Sequence, residues 1–172
     1  MPTHIALLRA VNVGGTGKLP MARLKALCEG LGFTNVRTVI ASGNVILTSR
    51  LGSPQVRARL EAALLGEMGK PVTVHVRTVD ELRAVLAAQP FGQCDGARCL
   101  VIFLEETPPE DTAGSVRGRT DERLHVGHRE LYVHYPRGQG TSKLRIPVAA
   151  TGTARNLNTV ARLLALAAER PA

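Results

Sequence analysis

The feature that most restricts the fold is the order in which the hydrophobic pattern changes period over the first eighty residues. "HIALLRAV", from His4, is a mostly apolar run ahead of a glycine cluster and reads as a buried first strand. After that cluster Pro20 supplies the φ favoured at a first helical position. Leu24, Leu27, Cys28 and Leu31 then recur at helical spacing, and Gly30 and Gly32 close the helix. Two runs rich in β-branched residues, "NVRTVIA" and "NVILTS", meet at "SGN", Ser42 to Asn44, which signals a hairpin. A second helix starts near Ser53 and Pro54, carries Val56, Leu60, Ala63 and Leu64 on one face, and ends at "GKP". "VTVHVRT" then alternates Val72, Val74 and Val76 with Thr73, His75 and Arg77. Strand, helix, strand, strand, helix, strand predicts a ferredoxin-like βαββαβ lobe over residues 1–80, its antiparallel sheet ordered 4-1-3-2.

Residues 81–172 repeat this flavour less cleanly. "VDELRAVLAA" reads as a helix, "ARCLVIFLE" as a buried strand and "TPPEDTAGSVRGR" as a proline-started short helix or loop. "ERLHVGHRELYVHY" reads as a hairpin that sets Leu124 and Val126 across from Leu131 and Val133. After the loop "PRGQGTSKLRIPVAATG", a long helix carries Leu157, Val160, Leu163, Leu164 and Leu166. The predicted class is therefore α+β: two ferredoxin-like lobes with antiparallel sheets, joined without a low-complexity linker near residues 78–92.

The chain has 172 residues, 44% of them hydrophobic, enough to bury a core. Its net charge of +8 favours an anionic partner, nucleic acid or a phosphorylated small molecule. The total is partly compositional, since 18 of the 22 basic residues are Arg in an alanine-rich chain without Trp, the pattern of a GC-rich genome. Its distribution says more. Residues 1–80 hold 10 Lys and Arg against 4 Asp and Glu, net +6, leaving 12 against 10, net +2, for residues 81–172. Three cysteines, Cys28, Cys94 and Cys99, form no CxxC pair, and an odd count argues against a secreted disulfide framework, so a cytoplasmic location is expected. The N-terminal apolar run is too short for a membrane span and lacks a basic leader pattern, so no membrane partner is expected.

"NVGGTGKLPM", Asn12 to Met21, is the segment most suggestive of a ligand. It is not a Walker A loop, because Asn12 stands where the first Gly is needed and Leu19 follows Lys18; nor do Gly14, Gly15 and Gly17 match a dinucleotide fingerprint. A generic anion nest at the start of the first helix remains open, although Pro20 offers no amide. The 4-1-3-2 order would place the end of strand 1 and the tip between strands 2 and 3 on one rim. Arg9, Asn12, Gly14, Gly15 and Lys18 would then join Ser42, Gly43 and Asn44, cations and donors that suit a phosphate or carboxylate. The competing reading is that Gly, Asn and Ser simply form turns.

The segments "LLRAVNVGGTGKLPM", "VRTVIASGNVIL" and "TARNLNTVARLLALA" resemble the bacterial family known as domain of unknown function 1697, with its LLRGINVGG-type start, SGNV turn and TRNWNT-type helix start. "GFTNVRT" and "GTSKL" extend the resemblance over nearly the whole chain. It implies an α+β fold of two ferredoxin-like lobes in the cytoplasm and brings no activity with it. Arg9, Asn12, Ser42, Gly43, Asn44, Arg155, Asn156, Asn158 and Thr159 match the family pattern and complete the candidate set. Ala10 replaces a common Gly, Val39 a frequent Tyr, Ala41 the usual Gln and Leu157 the usual Trp. With two Tyr, three Phe and no Trp, a base-stacking platform is hard to supply. Thr153 and Asn156 also suit helix capping, which leaves Arg155 and Asn158 unexplained.

No cofactor motif is present. His125, His128 and His134 match no standard metal spacing. Cys28 lies on an apolar stripe, Cys94 and Ser42 lack a nearby base, and Glu105, Glu106, Glu110 and Asp111 read as a solvated acidic loop. The sequence thus favours an anion-binding protein. An enzyme acting on a phosphorylated or carboxylated metabolite, with Asn12, Ser42 and Arg155 as orienting donors, and a protein-interaction module stand as alternatives.

Overall fold

The structure, a computed structural model, describes residues 1–11, 18–40 and 43–169. Among the described residues the chain is α+β, with two four-stranded antiparallel sheets and four α-helices. It divides into two compact units, one formed by Met1–Leu82 with the chain from Leu163 onward, the other by Arg83–Arg162.

In the first unit β1 (Thr3–Leu8), α1 (Met21–Gly30), β2 (Thr34–Val39), β3 (Asn44–Thr48), α2 (Ser53–Met68) and β4 (Val74–Thr78) follow in the predicted succession. The sheet order is β2-β3-β1-β4, the 4-1-3-2 arrangement read in reverse. Side chains alternate faces along a strand. Ala6 and Leu8 of β1, Val45 and Leu47 of β3 and Val74 and Val76 of β4 pack with Leu24 and Cys28 of α1 and Val56, Leu60 and Leu64 of α2. Burying each leucine contributes about 1.5–3 kcal/mol. α1 begins one residue later than the sequence suggests: Pro20 is the cap residue, and its carbonyl accepts from the Arg23 and Leu24 amides. Gly69 ends α2 with a left-handed φ of 69°.

The other face of this sheet is buried too. Ile5 is flanked by Ile46 and Arg77, and Leu7 by Asn44 and His75. His75 and Arg77, the polar members of the β4 alternation, are each 1% exposed.

The second unit contains β5 (Cys99–Phe103), β6 (Arg123–Val126), β7 (Glu130–His134) and β8 (Thr153–Asn156), ordered β6-β7-β5-β8. Its chain-order pattern, 2-3-1-4, is that of the first sheet. The β6–β7 hairpin pairs Leu124 with Val133 and Val126 with Leu131. α3 (Val79–Ala87) precedes this sheet in the chain and α4 (Leu157–Ala168) follows it. β8 corrects the sequence reading, in which Thr153 could cap a helix. Thr153 instead pairs with Phe103, because the edge of β5 offers a hydrogen-bonding partner that no local pattern reveals. Where the first unit inserts helices between strands, the second inserts irregular chain, residues 104–122 and 135–152, with only short 3-10 turns. These segments cover a cluster of Leu100, Ile102, Leu131, Val133, Tyr135 and Leu144.

Cys94 and Cys99 are joined in a disulfide, while Cys28 is free and buried. No helix among the described residues is long and apolar enough to cross a membrane.

Candidate functional site

The rim of the first sheet is built by three strand ends. Leu7 pairs with Asn44, and Leu8 with Val74, so the end of β1 lies between the starts of β3 and β4. The backbone continues this on both sides: the Leu8 amide donates to the Gly43 carbonyl at 2.9 Å, and the Arg9 amide to the Thr73 carbonyl at 2.9 Å. Gly43 has a φ of +87°, and a Cβ there would stand 2.6 Å from Val11 Cγ2 and 2.9 Å from Leu8 Cβ. The hairpin turn is thereby wedged against the root of the glycine-rich segment. Val11 and Leu19, the buried residues that bracket this segment, belong to the same core cluster as Leu8.

Arg9 and Lys18 are both exposed here. Asn12, Gly14, Gly15 and Ser42, the other sequence candidates of the rim, lie outside the described residues. Asn44 is fully buried and donates through Nδ2 to the Val39 carbonyl at 2.9 Å, closing the hairpin from within. Among the described residues of the rim, two that are not glycine hold left-handed backbone, Ala10 at φ 54° and Ile40 at φ 60°. Ala10 occupies a position where glycine is common in the resembled family, and its φ gives the physical reason. For the β-branched Ile40 such a φ is strained, and strain of this kind collects where a backbone shape is needed for more than packing.

Arg155, Asn156, Asn158 and Thr159 belong to the second unit. Arg155 is buried, donates through Nη1 to Thr153 Oγ1 at 2.7 Å and to the Ala154 carbonyl at 2.9 Å, and is pushed down to about 10 by burial. Asn156 caps α4: its Oδ1 accepts from the Thr159 amide at 2.8 Å, the capping role open to it in the sequence. Asn158 is exposed, and its side chain crowds Gly96, where a Cβ would collide with it. The Gly96 carbonyl accepts the Leu157 amide at 3.1 Å.

Of the nucleophile candidates, Cys28 is pushed up to about 12 by burial and is an inert core thiol. Among the described residues no group of three or more His, Cys, Asp or Glu could hold a metal ion.

A concavity that the sequence did not suggest lies in the second unit, a cleft of about 740 Å³ between residues 118–122 and 135–143. The signal for it was present in the runs "RGRTDE", of balanced charge, and "PRGQGTSK", basic and with two glycines, which carry no periodicity.

The fold defines an α+β protein of two four-stranded antiparallel sheets. The chain belongs to the family described as protein of unknown function (DUF1697), whose family model matches residues 1–132. That match takes in the rim and ends before β8. Among solved structures the chain is similar to that of a conserved bacterial protein from Streptococcus pneumoniae, at 25% identity and a TM-score of 0.80, over 96% of this chain and 98% of that one. Among curated proteins no relative matches.

Proposed function

We propose that the protein binds a phosphate-bearing small molecule at the rim of the first sheet, with Arg9 and Lys18 supplying charge beside the glycine-rich segment. The observation that supports this is the wedging of Gly43 against Leu8 and Val11, which ties the hairpin turn to the root of that segment. Asn12, Gly14, Gly15 and Ser42 join the site on their sequence pattern alone. Asn44 is assigned to the hairpin, not to the ligand, because its amide already serves Val39. Nucleic acid is the less favoured anion, since aromatic residues make up only 3% of the chain. A cytoplasmic setting is part of this reading; the odd cysteine count supports it and the Cys94–Cys99 disulfide counts against it. So is the description of both units as ferredoxin-like lobes, residues 1–80 and 81–172 in outline, the second with its crossover helices replaced by irregular chain. The shared strand order supports it.

Titration of the ¹⁵N-labelled protein with inorganic phosphate at low salt tests the reading. Saturable shifts are expected at the amides of Leu8, Arg9, Lys18 and Gly43, and the Arg9→Ala/Lys18→Ala double variant is expected to lose them while melting at the same temperature. Equal saturation in that variant would overturn the proposal. With a single-stranded oligonucleotide as probe, a steep loss of affinity with salt would instead favour nucleic acid.

A further inference from the structure

The cleft of the second unit stands on irregular chain in the places where the first unit has helices, and long connections without helix or strand are uncommon in compact domains unless they serve a function. Its two walls are joined at their base. Arg117 and Arg145 form a two-way backbone bridge, at 2.9 and 2.7 Å. The Lys143 carbonyl presses on Gly118, whose φ of +71° and lack of a Cβ permit the contact. Glu122, 4% exposed, ties the walls a third time: its carboxylate accepts from Ser142 Oγ at 2.7 Å on one wall and from the Thr120 amide at 2.7 Å on the other. These donors hold Glu122 ionised, pushed down to about 2, with the Ser142 hydroxyl the largest cause. It is therefore a strut, not a proton acceptor. The buried Tyr135 also lines the cleft.

Three cations line the cleft, Arg119 from the first wall and Arg137 and Lys143 from the second, against two carboxylates, Asp121 and Glu122. Both carboxylates are already engaged. Glu122 is held as described, and Asp121 pairs with Arg137 across the cleft at 3.1 Å. The Arg137 side chain in that pair is 83% exposed, and exposed pairs contribute about 0–1 kcal/mol, so a dianion displaces Asp121 at little cost. Arg119 uses Nε on the Glu122 carbonyl at 2.9 Å, which orients its guanidinium while leaving the terminal nitrogens for other acceptors. The volume falls within the roughly 300–1,000 Å³ of small-molecule sites.

We propose that this cleft is a second anion site, distinct from the rim, which binds the phosphate of a phosphorylated small molecule between Arg119, Arg137 and Lys143. Phosphate fits better than a carboxylate, because its three acceptor oxygens can engage cations from both walls at once. Glu122 and Ser142 position the walls and do not touch the ligand.

The test is titration of the full chain, ¹⁵N-labelled, with pyrophosphate, against sodium chloride at matched ionic strength. Saturable shifts are expected at the amides of residues 118–122 and 138–143, undiminished in the Arg9→Ala/Lys18→Ala variant. Arg119→Ala and Lys143→Ala, both at exposed positions, are each expected to weaken the cleft shifts roughly tenfold or more, and Lys143→Arg to retain them. Shifts reproduced by chloride, absent from the cleft, or equally strong in Arg119→Ala and Lys143→Ala would overturn the proposal. Cleft shifts in the unsubstituted protein without any rim shifts would support this proposal and count against the rim.

Discussion

Gly43 and Leu8 are locked together: the Leu8 amide donates to the Gly43 carbonyl at 2.9 Å, and the side chain that Gly43 lacks would stand 2.9 Å from Leu8 Cβ. The hairpin turn and the end of the central strand therefore form one packed unit, and any ligand site on this rim inherits its rigidity. Gly43→Ala combines a left-handed backbone with an overpacked contact. It is expected to lose about 2 kcal/mol or more in urea unfolding. A loss under about 0.5 kcal/mol, the ordinary surface value, would show that the rim gives way easily.

Ile40 carries the opposite expectation. It is a β-branched residue at φ 60° with half of its side chain exposed, so it gives up little burial on replacement and is relieved of strain. Ile40→Asn is expected to raise stability by about 0.5–1 kcal/mol, since Asn tolerates this backbone region. A drop in the urea midpoint would mean that the Ile40 side chain is packed against something that strain alone does not reveal.

Asn44 separates structure from binding. Its Nδ2 is spent on the Val39 carbonyl in a fully buried position, so Asn44→Ala is expected to cost about 1–3 kcal/mol through an unsatisfied acceptor and lost packing. The same variant should bind inorganic phosphate with unchanged affinity. Weakened binding at unchanged stability would return Asn44 to the ligand site.

These residues also show what was legible beforehand. The first sheet could be read because β-alternation, Gly30, Gly32 and Gly69 are local signals, and local signals sufficed to order its strands. β8 could not, because "TARN" is a strand only by virtue of pairing with Leu100 to Phe103. The same cluster was legible where its chemistry is local: Asn156 caps α4 through a contact three residues away. Asn44 looked like a turn donor because sequence gives polarity without direction, and the pleat turns it inward. The cleft escaped notice because its cations come from two segments with no shared period, brought together by Glu122 and Ser142.

His4 sets one window of pH dependence. It is 2% exposed, lies 3.4 Å from Ser53 Oγ, and burial holds its imidazole below the ordinary 6.5, against weaker opposing pulls from the Leu51 and Ser49 backbone and Glu81. The unfolded chain therefore binds the proton more readily. Stability should be complete above pH 6.5 and fall as pH drops through 6.5 toward the lower folded value. His4→Gln is expected to flatten this limb in urea midpoints measured between pH 7.5 and about 5; an unchanged slope would assign it to another group.

Glu122 sets a second window at lower pH. Its carboxyl is pushed down to about 2, first by the Ser142 hydroxyl and then by the Thr120 amide, against 4.5 for an ordinary glutamate. A folded value below the unfolded one contributes stability that is complete above pH 4.5 and lost as pH falls from there toward 2. In the folded chain Glu122 protonates only as pH nears 2, and the acceptor that joins residues 118–122 to 135–143 is lost there, so the cleft should loosen at the bottom of this interval. Glu122→Gln keeps the shape but cannot titrate. It is expected to be less stable than the parent at pH 6 and to approach it as pH falls toward 2, with pyrophosphate binding weakened at pH 6. Parallel urea curves for the two proteins across this interval would mean that the walls are held by the Arg117–Arg145 bridge alone, and that Glu122 is a passive tenant of the cleft.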